Sequence, residues 1–217
     1  MSLHYGSFDE HDIPSIFSLA LTRPTKVNPV GGGLFGIGGI PDIGHDDAFV
    51  SVPLLPEPMG EFFFYAILID GFHITAPTNI SSPAVPTAGK PLPKETSNLT
   101  AIIDSGTTLI YLPDSVAEQV ASLFVPPAKY SIRDDSYYVQ CKALAPRFGI
   151  IIAGKIFYVH QEDMMVSSVE NALGQCLLGI NKKGMGDVVL GDSFLKNVLA
   201  VFDIGNNEMR FAAREQY

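Results

Sequence analysis

The sequence predicts an all-β protein built mostly from antiparallel sheets, with one or two short helices. Two observations support this fold class: three hairpin-like segments are spread along the chain, and helical periodicity is scarce. Apolar residues make up 47% of the 217 residues and charged residues 17%, so the chain can bury a sizeable core as a single domain.

Each hairpin-like segment has turn residues between two apolar runs. The first, FFFYAILIDGFHI (62–74), has an Asp-Gly pair at 70–71, which is a strong hairpin signal. The second, residues 147–159, has Ala-Gly-Lys at 153–155, and the third, residues 198–213, turns at Gly-Asn-Asn. We therefore expect three antiparallel hairpins along the chain.

The best helix candidate is PDSVAEQVASLF (113–124). Asp114 or Ser115 could be its N-cap, Glu118 follows Ser115 by three residues, and the apolar residues recur along one face. A shorter helix is expected within residues 191–199.

Residues 76–99 are rich in Pro, Ser and Thr, and we expect an exposed loop there. The loop holds two Asn-x-Ser/Thr triplets, which make Asn79 and Asn98 candidate glycosylation sites. Because the β pattern resumes in the same style after the loop, we predict a single domain.

Charge and hydropathy exclude several classes of partner. The net charge of −9 argues against nucleic acid or an anionic membrane as the main partner. The longest apolar stretch, residues 62–69, is far shorter than the roughly 20 residues that a membrane-spanning helix needs. We therefore expect no membrane span.

The sequence shows no convincing metal or cofactor site. The five histidines neither pair at helical spacing nor cluster with cysteines. GGGLFG (31–36) matches the dinucleotide-binding pattern, but no strand precedes it, and Pro41 and Gly44 follow where a helix should start. A glycine-rich β-hairpin or bulge is the better interpretation.

The chain has two cysteines, Cys141 and Cys176, which are 35 residues apart. From composition, a disulfide and a pair of buried free thiols are equally good interpretations. The two glycosylation triplets favour an oxidising, secretory environment and thereby the disulfide.

The segment AIIDSGTTLIYLP (101–113) has a carboxylate and three hydroxyls between two apolar runs. One interpretation is a surface turn, because Asp-Ser-Gly favours turns. The other is a loop in which hydrogen bonds from the Gly106 and Thr107 region hold the carboxylate of Asp104, an arrangement typical of a catalytic acid. The local pattern leaves both open.

The same segment resembles the second active-site segment of pepsin-like aspartic proteases, in the C-terminal lobe. Residues 187–212 are similar to that family's C-terminal segment, in which Val189, Leu190 and Gly191 pass behind the catalytic loop. Residues 15–21 and 31–54 resemble the strands that open this lobe. The resemblance covers residues 14–217 and implies a single lobe of the bilobal fold, with Cys141 and Cys176 as its disulfide. Residues 1–13 would then be a leader, a cloning-derived start or an interlobe segment.

The resemblance also implies a role for each residue of the loop. Asp104 would be one of two catalytic aspartates, and Ser105 would brace the two catalytic loops against each other. Thr107 would hydrogen-bond the outer carboxylate oxygen, while Gly106, Thr107 and Thr108 would approach the substrate backbone. Family members cleave peptide bonds in acid with a proton-sharing aspartate pair and a water molecule, and use no cofactor.

The chain departs from the family pattern because it contains only one such motif. Asp192 and Asp203 are poor substitutes for a second catalytic aspartate, since each is better explained as a structural residue. We therefore expect an aspartic endopeptidase lobe that is inactive without its N-terminal lobe, from a secreted, vacuolar or lysosomal enzyme. The alternatives are a homodimer in which two copies of Asp104 meet, and a protease-like binding or inhibitory module.

Overall fold

A computed structural model describes residues 13–24, 31–56, 60, 62–77 and 98–214. Its strands are β1 (Ile16–Thr22), β2 (Gly32–Ile37), β3 (Val50–Pro53), β4 (Ala66–Ile69), β5 (Gly71–Thr75), β6 (Leu99–Ile103), β7 (Ile110–Leu112), β8 (Lys129–Ser131), β9 (Ser136–Gln140), β10 (Arg147–Ile152), β11 (Lys155–Val159), β12 (Met165–Glu170), β13 (Gln175–Leu178), β14 (Ile180–Lys182), β15 (Val188–Leu190), β16 (Val198–Asp203) and β17 (Glu208–Ala213). Its helices are α1 (Asp114–Leu123) and α2 (Asp192–Leu195). The predicted fold class, mostly antiparallel β with two short helices, is confirmed.

The strands in the described residues form four sheets. Two sheets have five strands, in the orders β2-β1-β16-β17-β3 and β14-β7-β15-β6-β4. The other two have the orders β11-β10-β5 and β12-β13-β9-β8. Only two of the pairings are parallel, β14 with β7 and β15 with β6, and both lie in the sheet that holds the candidate site.

Two of the three predicted hairpins form as expected. Strands β10 and β11 pair around a tight turn in which Ala153 and Gly154 both take positive φ, as a type I′ hairpin turn requires. Strands β16 and β17 pair along their full lengths, from Val198 with Ala213 to Asp203 with Glu208.

The predicted hairpin at residues 62–74 is wrong. Strand β4 pairs with β6, whereas β5 pairs with β10 in a different sheet. Asp70 marks the corner between them: its backbone N–H donates to the carbonyl of Ile151, and its side chain accepts from the N–H of Gly154. The Asp-Gly pair therefore turns the chain from one sheet into the next.

Helix α1 occupies the predicted segment, but its N-cap differs from the prediction. The helix begins after Pro113, with no side-chain capping bond. Asp114 instead accepts a hydrogen bond from the backbone N–H of Gly184, 70 residues away. The side chain joins the helix to a distant loop, so it is not available for capping.

One large hydrophobic core joins the four sheets. Five fully buried phenylalanines contribute much of its volume: Phe124, Phe148, Phe157, Phe194 and Phe211. The rings of Phe17 and Phe202 stack at 4.3 Å between neighbouring strands β1 and β16. Burial of this apolar surface is the main favourable term in folding, and it holds the sheets in place behind the site.

The glycine-rich segment 31–36 has β structure, as the hairpin interpretation expects. It forms most of β2, an edge strand that pairs antiparallel with the preceding strand β1 and with no other strand in the described residues. Most of the predicted loop at 76–99, including Asn79, lies outside the described residues, as do residues 1–12. Asn98 is described, and it is exposed.

Candidate active site

The site is built where three neighbouring strands of one sheet meet. Strand β6 ends at Ile103, the chain forms a loop over residues 104–109, and β7 begins at Ile110. Strand β15 lies between them, parallel to β6 and antiparallel to β7. Because β15 separates the two strands, the loop passes over its end at Leu190, whose carbonyl accepts from the N–H of Asp104 at 3.3 Å.

Two local hydrogen bonds hold the carboxylate of Asp104. Its Oδ1 accepts from the backbone N–H of Gly106 at 2.9 Å, and its Oδ2 accepts from the hydroxyl of Thr107 at 2.6 Å. Hydrogen bonds to a carboxylate are stronger than those between neutral groups, and two together fix its plane. The carboxylate group is therefore oriented before any ligand arrives.

The loop is partly open to solvent, although both flanking strands are buried. Asp104 and Thr107 are half-buried, whereas Ser105, Gly106 and Thr108 are exposed. Burial ends with β6 at Ile103 and begins again at Leu109, which leaves the loop between them at the surface.

The segment after β15 supports the loop from behind. The backbone N–H of Asp192 donates to the carbonyl of Thr107 at 2.8 Å, and the N–H of Ser193 donates to the carbonyl of Thr108 at 3.0 Å. The hydroxyl of Ser193 reaches the same Thr108 carbonyl at 3.1 Å. Three donors from this segment thus hold two consecutive carbonyls of the loop.

Gly191 is required at its position because the two chains approach too closely for a side chain. A Cβ there would lie 2.2 Å from the carbonyl oxygen of Thr107 and 2.4 Å from that of Leu109. Both neighbours are backbone atoms, so no rotamer change can relieve the contact.

Asp192 is a second carboxyl in the neighbourhood of Asp104. Burial raises the pKa of the Asp192 carboxyl, the charge of Lys196 opposes that rise, and the charge of Asp104 adds to it. Its Oδ1 is buried and has no hydrogen-bond partner among the described residues. The carboxyl is therefore costly to ionise where it sits.

Asp203 does not take part in the site. It ends β16, and its carboxylate accepts from the backbone N–H of Asn206 and pairs with Arg210. These bonds close the turn between β16 and β17, as the sequence indicated.

The two cysteines lie away from the loop and are joined in a disulfide. Cys141 follows β9 and Cys176 lies in β13, two strands that pair in the four-stranded sheet. Glu170 lies close to both sulfur atoms, but neither sulfur offers a thiolate for a metal ion. Among the described residues no other such group of ligands occurs.

Sequence reasoning missed two features: the hydrogen bonds from Ser193 to the loop, and the raised pKa of Asp192 beside Asp104. The resemblance pointed to Gly191, yet no local pattern shows that the next two residues donate to the loop. Their partners lie about 85 residues earlier in the chain, as for the Ser193 hydroxyl and Thr108.

None of the helices in the described residues is long and apolar enough to cross a lipid bilayer.

Comparisons with known proteins agree with this geometry. A family model described as "Eukaryotic aspartyl protease" matches residues 63–214. A probable aspartic-type endopeptidase of Aspergillus fumigatus is 36% identical over 95% of this chain and 46% of its own length. Aspartic protease 6 of Caenorhabditis elegans is 26% identical over 91% of the chain and 45% of its own length.

Shorter matches have the same character. An acid protease of Saccharomycopsis fibuligera is 32% identical over 52% of this chain and 28% of its own length. The chain thus spans no more than about half the length of these curated relatives. The family match and the identity to the Aspergillus protein show that this chain belongs to the eukaryotic aspartyl proteases, the pepsin-like family.

Proposed function

We propose that this chain is the C-terminal lobe of a bilobal aspartic endopeptidase and supplies one of its two catalytic carboxylates, Asp104. The observation that supports this assignment best is the pair of hydrogen bonds that orient Asp104 at a solvent-accessible loop. A carboxylate held in this way and still open to solvent can act on a bound water and a peptide substrate.

In the proposed reaction, the ionised carboxylate of an aspartate pair takes a proton from a water molecule. The water oxygen then attacks the carbonyl carbon of the peptide bond, while the protonated carboxylate donates a hydrogen bond to the carbonyl oxygen. When the C–N bond breaks, the leaving nitrogen takes the proton that the aspartate pair accepted from water, and the other product ends in a new carboxyl group. Only water is consumed, so the reaction needs no cofactor.

Other residues of the loop would contact the substrate or the second catalytic loop. Gly106 and Thr108 are exposed beside Asp104, so both can approach an extended peptide backbone. Ser105 is exposed next to the carboxylate and is free to meet a partner loop. Thr107 is engaged with Asp104, so its main contribution is to hold that carboxylate.

The second carboxylate would come from outside this chain. Asp203 is bonded to Arg210 and Asn206, which fits a structural role. Asp192 lies in the segment that supports the loop from behind, with one carboxylate oxygen buried. Since the curated relatives are about twice as long as this chain, the missing N-terminal lobe is the natural source.

The surface of β2 is consistent with such a partner lobe. Leu34, Phe35 and Ile37 are 46%, 53% and 60% exposed on this edge strand. An edge strand with exposed large apolar side chains favours coverage by another chain or domain. Without that lobe we expect the chain to be inactive.

The secretory pathway is the proposed location. The disulfide is typical of oxidising compartments, and Asn98 is exposed in an Asn-Leu-Thr triplet, as a glycan acceptor must be. Asn79 would be a second acceptor by sequence alone.

A reconstitution assay tests this function. Two proteins are incubated with a fluorogenic peptide at acid pH. One is the purified chain alone, and the other is a longer polypeptide in which a lobe with its own Asp-Thr-Gly motif precedes this chain. We expect cleavage only when both lobes are present, with inhibition by a peptide that mimics the transition state. Cleavage by the chain alone, with a dimer in sedimentation, would instead support the homodimeric protease. No cleavage in either form would support the binding module.

A further inference from the structure

A cavity of about 540 Å³ opens on the chain away from the candidate active site. It lies where β5, β11 and β17 end and where β10 and the segment after α2 begin. None of its lining residues belongs to the loop at 104–109. A volume of this size is typical of small-molecule sites.

The lining of the cavity is cationic, although the chain has a net charge of −9. Five basic side chains surround it, and no aspartate or glutamate lines it among the described residues: Arg23, Arg147, His160, Lys196 and Arg214. Three of the five arginines in the sequence therefore meet at one cavity. Like charges repel one another, so such a cluster is favourable mainly when an anion is nearby.

Two of these arginines, Arg23 and Arg214, form hydrogen bonds within the protein. Arg23 donates to the buried carboxylate of Asp163 at 2.8 Å through Nε, and to the side chain of Asn197 at 2.8 Å. Arg214 donates to the backbone carbonyl of Leu21. These contacts fix the wall of the cavity and leave Arg147 as the main candidate for contact with a ligand.

Arg147 is exposed at the rim and forms no ion pair with any described residue. Its guanidinium lies over the ring of Tyr158, with 3.8 Å between the central carbon and the ring centroid. This cation–π contact restrains the side chain at the rim. The N–H groups of a guanidinium form a planar fork that suits the two oxygens of a carboxylate, phosphate or sulfate group.

Gln161 and Asn197 also line the cavity, and much of the rest of its wall is apolar. The apolar part includes Ala76, Pro77, Ala145, Pro146, Ile156 and Val159. Inorganic anions alone would leave this surface in contact with water. An organic molecule with an oxyanion at one end and an apolar body would cover it.

We propose that this cavity binds a small organic anion whose oxyanion contacts Arg147 and whose apolar body lies against the walls. The oxyanion is a carboxylate, a phosphate ester or a sulfate ester, because all three present paired oxygens to a guanidinium. Lys196 also lines the cavity and adds positive charge to it.

Calorimetric titration of the purified protein tests the proposal with three probes: sulfate, phenyl phosphate and benzoate. Each titration is run against sodium chloride of equal ionic strength, so that general screening is subtracted. We expect saturable binding, tighter for phenyl phosphate than for sulfate because the ring adds apolar contact. The comparison with benzoate identifies which oxyanion the cavity prefers.

Two arginine variants form the matched pair. Arg147→Gln should weaken phenyl phosphate binding by about tenfold or more, since a charge-assisted contact is lost. Arg133→Gln removes the same charge from an exposed site outside the cavity and should leave binding unchanged.

Three results would overturn the proposal. One is the absence of saturable binding for all three probes. Another is equal weakening by Arg147→Gln and Arg133→Gln, which would indicate diffuse attraction of anions. The third is binding to this chain but not to the two-lobed protein, which would mean that the N-terminal lobe covers the cavity.

Discussion

The backbone N–H of Asp192 donates to the carbonyl oxygen of Thr107 at 2.8 Å. A Cβ on Gly191, the residue before Asp192, would lie 2.2 Å from that same oxygen. The loop that holds Asp104 is therefore packed backbone to backbone against the segment behind it. This contact joins parts of the chain about 85 residues apart and fixes where Asp104 stands.

Replacing Gly191 should destabilise the protein more than replacing a glycine whose Cβ position has no neighbouring atoms. We expect Gly191→Ala to lower the free energy of unfolding by roughly 1–3 kcal/mol, because the new Cβ meets two backbone carbonyls that cannot rotate away. Urea denaturation followed by circular dichroism measures the change. Gly44→Ala is the control, since nothing lies within 4 Å of its Cβ position. Equal stability of the two variants would contradict the close packing.

The hydroxyl of Thr107 should matter for activity through Asp104. In the two-lobed enzyme, Thr107→Val removes the 2.6 Å hydrogen bond to Oδ2 and should lower kcat/KM by about 10- to 100-fold. Thr107→Ser keeps the hydroxyl and should retain most of the activity. Wild-type kcat/KM in Thr107→Val would contradict a role for the hydrogen bond, whereas similar losses in both variants would show that the methyl group is needed as well.

Asp192 should make folding stability depend on pH. Because burial raises its pKa in the folded protein, the folded state holds the proton at pH values where the unfolded state has released it. Stability from this group is therefore lost as pH rises from the unfolded value of 3.8 towards the raised folded value. Asp192→Asn removes the titration, so its melting temperature relative to wild type should be higher at neutral pH than in acid.

The exposed Asp187 provides the control for this effect. Asp187→Asn should shift the melting temperature by the same small amount at both pH values. A pH-independent difference between Asp192→Asn and wild type would rule out the raised pKa.

The disulfide should be a large part of the stability of this lobe. Cys141 and Cys176 close a loop with a sequence separation of 35, and the chain-entropy relation for such a loop gives about 3–4 kcal/mol. Urea unfolding of the oxidised and the reduced protein measures the difference. A shift well under 1 kcal/mol on reduction would mean that the unfolded chain is already constrained near these cysteines.

Local sequence signals predicted the parts of the fold in which the partners are close along the chain. The hairpins around Gly154 and at residues 203–208 form because each turn joins strands that pair directly. The Asp-Gly pair at residue 70 failed as a signal because its flanking strands find distant partners, β6 and β10. A turn signal reports a change of direction and does not report which strand pairs next.

In the candidate site, too, local contacts could be predicted from the sequence and long-range contacts could not. The bonds from Gly106 and Thr107 to Asp104 span two and three residues, so the sequence could suggest them. The support from Asp192 and Ser193 comes from far along the chain, and only the resemblance pointed to that region. The cationic cavity draws on six separate segments with no shared motif, and nothing in the sequence predicted it.

The most direct measurement of the central claim is acid-pH peptide cleavage by Asp104→Asn in the two-lobed enzyme, with Asp187→Asn as the matched control. We expect Asp104→Asn to lose at least about a thousandfold in kcat/KM while its circular dichroism and melting curve stay close to wild type. Asp187→Asn should cleave normally. If a folded Asp104→Asn enzyme cleaved peptide at the wild-type rate, Asp104 would not be a catalytic carboxylate.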